Sequence, residues 1–112
     1  MYNISINILE VKTMGRCKIT VLKTLYFPEL ARQYPPYEAG PCEILSEGQV
    51  YYTEGPYGVD MPKGFCPPAW RAIQSFAGIY ASGGKVYGFD AHVVTCPDGV
   101  RPVLLRLETA ED

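Results

Sequence analysis

The sequence has one histidine, one tryptophan and no two cysteines close enough to form a Cys-x-x-Cys pair. A single histidine limits imidazole chemistry to one position, His92. Without paired cysteines, neither a zinc knuckle nor a thioredoxin-type motif is written locally. Long apolar runs are missing as well. The longest stretch without Asp, Glu, Lys or Arg is Ala72 to Gly84, 13 residues, whereas a membrane helix needs about 20 apolar residues. No charge run stands out, and the net charge is -2. A surface that tracks nucleic-acid phosphates is therefore not expected. The start of the chain has no basic stretch before an apolar core, so a secretory signal is not expected and the cytoplasm is the default location. The four cysteines are then expected as thiols.

Within 112 residues, 47% are hydrophobic and 20% charged. That balance describes one folded domain. Gly and Pro number 11 and 10, so much of the chain must be loop. Tyr2, Ile4, Ile6 and Ile8 alternate with polar residues, which makes residues 1–13 an extra strand or an extension. Met14 is an alternative start, and residues 14–112 form the single domain.

Strands are expected at 18–25, 48–53, 86–96 and 100–108, with a short helix at 27–34. The clearest helix is 67–82. Trp70, Ile73, Phe76, Ala77 and Tyr80 recur on one face, and Gly83-Gly84 stops it. In the strand expected at 86–96, Asp90, His92, Val94 and Cys96 share one face. Pro102 cannot donate to a ladder, which puts an edge or bulge there. Residues 108–112 are expected to fray. The fold class is α+β: a small, mostly antiparallel sheet of four to five strands, one main helix on a face, and a C-terminal hairpin.

Several phosphate, peptide and metal motifs fail. Ser82-Gly83-Gly84-Lys85 has Val86 where a phosphate loop needs a hydroxyl, and it follows a helix instead of preceding one. Tyr34-Pro35-Pro36-Tyr37 lacks a Pro-x-x-Pro core. The spacing of Cys42, Cys66, Cys96 and His92 supports no metal site, and the sequence names no cofactor.

Other positions carry chemistry. Cys66 immediately precedes the main helix, where unpaired amides and the helix dipole favour thiolate. Cys42 follows Gly40-Pro41 in a loop. Asp90 can orient His92 if the strand is regular. Gln49 can bond loop backbone beside Glu47-Gly48. Trp70 can line an aromatic pocket, and Arg101 beside the Pro97-Asp98-Gly99 turn can clamp an anion.

The ordered landmarks are Gly40-Pro41-Cys42, Glu47-Gly48-Gln49, Gly64-Phe65-Cys66, Ala69-Trp70 and Cys96-Pro97-Asp98-Gly99-Val100-Arg101-Pro102-Val103. They resemble a family of small prokaryotic proteins of unassigned function, over about Met14 to Glu108. The resemblance points to Cys42, Glu47, Gln49, Cys66, Trp70, Cys96, Asp98 and Arg101 as site positions. They would meet where the Gly-Pro-Cys loop, the main helix start and the last hairpin turn converge. The chain departs from the family pattern in two places. Pro67 stands where the family often has an acidic residue, and Thr95-Cys96 where it often has two cysteines.

Two functions from different classes compete, and a third, a metal-binding redox accessory, would need the thiols to converge on a bound metal. One is a small cytosolic enzyme or binding protein for a small molecule. In it Cys66, Cys42 and Asp98 are the catalytic candidates, and Trp70, Arg101, Gln49, Glu47, Cys96 and His92 the ligand-binding ones. The other is a non-catalytic homo-oligomeric interaction module with structural cysteines.

Overall fold

The computed structural model describes residues 15–34 and 40–110. The expectations for residues 1–13, for Pro35 to Tyr37 and for Glu111 and Asp112 lie outside them. In chain order the elements are β1 (Cys17–Thr24), α1 (Pro28–Gln33), β2 (Val50–Tyr52), α2 (Pro67–Ala81), β3 (Ala91–Thr95) and β4 (Val103–Thr109), with a 3-10 turn at Pro56–Gly58. The strands form one sheet in the order β2-β1-β4-β3, and every neighbouring pair is antiparallel. The α+β architecture is as expected.

Strand alternation builds the core from one side of the sheet. Ile19 and Val21 of β1 and Val103, Leu105 and Leu107 of β4 are buried, while the residues between them are half-buried. Ile73 and Tyr80 of α2 pack on this face with Ala69 and Ala77. The two alanines have no exposed surface, and their small side chains let the helix lie close to the strands. Full burial of Ile19, Ile73, Leu105 or Leu107 stabilises the fold by ~1.5–3 kcal/mol each.

Pro67 and Pro68 suit the first turn of α2, where a missing N–H costs no helical bond. The helix ends as its glycines require. Gly83 takes φ +86°, and the Gly83 and Gly84 N–H groups return to the Tyr80 and Ile79 carbonyls.

Residues 86–96 depart from the expected single strand. The ladder begins only at Ala91. Before it, Tyr87 (φ +53°) and Gly88 (φ +77°) form a tight left-handed turn closed by the Phe89 N–H on the Val86 carbonyl. A tertiary contact fixes this turn. The Tyr80 hydroxyl, on a side chain with no exposed surface, accepts from the Val86 N–H at 3.2 Å and donates to the Phe89 carbonyl at 2.8 Å. Asp90 therefore lies before the strand, where it pairs with Lys85 at 2.7 Å.

Pro102 also differs from expectation. It precedes β4, which is an inner strand, and its carbonyl accepts the Leu25 N–H. The irregularity falls in β1 instead, between Val21 and Lys23. Glu108 and Thr109 belong to β4, and Ala110 is buried with its N–H on the Arg16 carbonyl, so the fraying expected from 108 does not begin there.

Candidate functional site

Three cysteines line one cavity from three different parts of the chain. Cys66 is the residue that leads into α2, in extended conformation, and its side chain does not cap the helix. Cys42 comes from the irregular segment after Gly40. Cys96 follows β3, where it faces Val103 across the last hairpin. Its N–H bonds the Val103 carbonyl at 3.0 Å, and its sulfur accepts the Val103 N–H at 3.2 Å. The cavity measures about 180 Å³. Ile44, Leu45, Pro68, Pro97 and Val103 supply apolar wall, and Asp98 and Arg101 supply the charged part.

The hairpin loop is built around Asp98. Its Oδ1 accepts the Val100 and Arg101 N–H groups, both at 2.9 Å. This side-chain turn is what Asp provides in a Pro-Asp-Gly sequence. Phe27 and Leu25 then donate to the Val100 and Pro102 carbonyls, which ties the loop to the chain after β1. The Arg101 side chain is 18% exposed, and its Nε lies 3.8 Å from Asp98 Oδ2. That Nε is buried and makes no hydrogen bond. A buried guanidinium N–H without an acceptor is uncommon, because an unmade bond costs about 1–3 kcal/mol or more for a charged group.

The helix start contributes less than expected. Of its first-turn residues, Pro67 and Pro68 carry no N–H, and the Trp70 N–H already bonds the Cys66 carbonyl at 2.9 Å. Ala69 alone keeps a free first-turn donor. Positive charge at this cavity therefore comes from Arg101.

The other sequence candidates lie elsewhere. Gln49 Oε1 accepts the Ser46 N–H and the Tyr51 hydroxyl, and Glu47 accepts the Thr24 N–H. Glu47 thereby ties the loop before β2 to β1, and Gln49 bonds the backbone of that loop, away from the cavity wall. Trp70 is half-buried against the core and does not line the cavity. His92 sits on the helix-facing side of β3 with its ring 5.5 Å from Phe76 and 5.8 Å from Tyr87. The Asp90–His92 orienting pair is not formed, because the 87–88 turn removes Asp90 from the strand and Lys85 takes its carboxylate.

The cavity floor was not foreseen. Leu45 is 1% exposed, and the available signal was Ile44-Leu45 as an apolar pair inside an otherwise polar loop. Cys17 stands apart from the other thiols. It is fully buried on β1, and burial pushes its thiol up to about 12. Among the described residues, no group of three His, Cys, Asp or Glu side chains is arranged to hold a metal ion. No described helix is long and apolar enough to cross a membrane.

No family model matches the chain, and no curated protein or solved structure matches it either.

Proposed function

We propose that the cavity between the Cys42 loop, the start of α2 and the last hairpin binds a small organic anion. In this reading Arg101 holds the anionic group, the apolar wall takes the remainder, and Cys66 is the nucleophile. The observation that carries it is a single cavity of about 180 Å³ whose wall combines Arg101, apolar side chains and three cysteines. An anionic oxygen in the cavity would meet the guanidinium, and charge-assisted bonds of this kind are the strong ones. A volume near 180 Å³ limits the ligand to small molecules.

Paired alkylating agents test this. Iodoacetate and iodoacetamide both react by sulfur attack on carbon with loss of iodide, and they differ in the carboxylate. Cys66 should prefer iodoacetate, and Arg101→Gln should lower the iodoacetate-to-iodoacetamide rate ratio about tenfold, the worth of one charge-assisted bond. An unchanged ratio would overturn the anion role of Arg101.

A second reading, self-association, rests on a separate observation. Tyr87 is 83% exposed, Phe89 60% and Val93 53%, and all three lie on or just before β3, the last strand of the sheet. An uncharged edge strand beside apolar side chains invites pairing with a second copy. Light scattering that finds only monomer across a wide concentration range would remove this reading.

A further inference from the structure

We infer that the thiol cavity carries out dithiol–disulfide exchange with a small anionic disulfide, with Cys66 attacking and Cys42 resolving. The inference rests on the anion-cavity reading above and adds the substrate class and the second thiol.

A single thiol suffices for alkyl or acyl transfer. A second thiol in the same small cavity becomes necessary when the first product is a mixed disulfide that must be resolved. Acyl chemistry at cysteine is also poorly served here. It draws on a histidine base, and the one histidine of the chain, His92, is held between Phe76 and Tyr87, away from the cavity. Metal ligation is not offered by any described cluster. Exchange between sulfurs needs neither a metal nor a histidine.

The step balances without a further oxidant. Cys66 loses its proton to solvent, and its sulfur attacks one sulfur of the bound disulfide. The substrate S–S bond breaks, and the departing half takes up a proton as a thiol. Cys42 then loses its proton and attacks the Cys66 sulfur, which releases the second half. Two protein thiols are oxidised to one disulfide, and one small disulfide is reduced to two thiols.

The choice of Cys42 over Cys96 follows from how each is held. The Cys96 backbone and sulfur are both bonded to Val103 in the hairpin. Residues 40–45 make no backbone hydrogen bond to another described residue. A disulfide requires Cα atoms about 4.4–6.8 Å apart, and the unladdered Cys42 loop can adjust to that geometry more cheaply than the hairpin. Arg101 supplies selectivity, because an anionic disulfide brings a carboxylate into a cavity whose wall includes the Arg101 side chain.

The test uses reduced, desalted full-length protein with two probes, the anionic dithiobis(nitrobenzoate) and the uncharged dithiodipyridine. The expected result is rapid release of two thionitrobenzoate ions per chain with no probe retained, followed by slower reaction of Cys96. Trypsin can cut after Lys63, Arg71 and Lys85, so Cys42, Cys66 and Cys96 fall on separate peptides. Mass analysis should find the Cys42 and Cys66 peptides joined. Cys42→Ser should release one ion and retain one on Cys66, and Cys66→Ser should lose the rapid phase. Serine is a good helix-cap residue, so the second variant is expected to fold. Arg101→Gln should slow the anionic probe and leave the neutral one unchanged. A stable mixed disulfide on the wild-type protein, or a disulfide joining any other pair, overturns the exchange. If that occurs while the iodoacetate preference still depends on Arg101, the anion cavity stands and only the exchange falls. If neither probe pair depends on Arg101, both readings fall.

Discussion

Replacing Asp98 with alanine removes the acceptor that organises the cavity's charged wall, and the cost can be worked from three contacts. Oδ1 accepts two backbone N–H groups at 2.9 Å each. Bonds to a charged acceptor contribute ~1.5–3 kcal/mol each, and the exposed loop lets water replace part of that, so ~2–3 kcal/mol for the two together is the working figure. The ion pair with Arg101 is long and partly wet, with side chains 18% and 31% exposed. It adds at most ~1 kcal/mol. Asp98→Ala should therefore destabilise the protein by ~2–4 kcal/mol. Asp98→Asn keeps the Oδ1 acceptor and gives up only the charge, so ~1 kcal/mol is expected. Urea unfolding followed by circular dichroism measures both, with the midpoint shifting and the slope constant. The decisive quantity is the gap between the two variants. If asparagine costs as much as alanine, charge and not turn geometry holds the loop. If alanine costs under ~0.5 kcal/mol, the turn is not a structural element at all.

Tyr80→Phe should cost ~1–3 kcal/mol, because it leaves the buried Val86 N–H without its acceptor and frees the Phe89 carbonyl; urea midpoints equal to the wild type would show that the 87–88 turn does not depend on the hydroxyl. Cys17 makes stability fall in alkali. Its thiol keeps its proton in the folded state up to about 12, while the unfolded thiol loses it near 9.0. The contribution is complete below the lower value and is lost as pH rises towards the upper one, at up to ~1.4 kcal/mol per pH unit. Cys17→Ala should show a shallower alkaline decline in its unfolding midpoint than the wild type, and parallel declines would refute the assignment. In native protein Cys17 should also be the thiol that reacts only after denaturation.

Most of the fold was readable because period and punctuation agreed. The helix at Pro67–Ala81 shows 3.6-residue spacing between two prolines and two glycines, so start, face and stop coincide. The failure at 86–90 has the opposite cause. Tyr87 and Phe89 alternate like strand residues, and Gly88 was the one local hint of a turn. What decides the turn is the Tyr80 hydroxyl on another element, which no local pattern encodes. At the site, the thiols, Asp98 and Arg101 were visible because polar and sulfur residues at loop junctions are conspicuous. Gln49 and Glu47 look the same in sequence, yet their acceptors are consumed by the Ser46 and Thr24 amides. Asp98 ties backbone in the same way, yet its turn forms part of the cavity wall, and only the fold separates the two cases.

The order β2-β1-β4-β3 puts the first and last strands of the described chain side by side, with Cys17 opposite Thr109. The two middle strands of the sheet are thus the two most separated in sequence. During synthesis β1 has no inner neighbour until residues 103–109 have left the ribosome, so the core closes late. Such long-range pairing makes for slow folding and leaves the emerging β1 open to other chains in the interval. The same adjacency brings residue 16 to residue 110, joined by one backbone bond. A short linker between them, with new ends opened in the exposed turn at Gly83-Gly84, would turn the β1–β4 pair into a local hairpin and should speed folding.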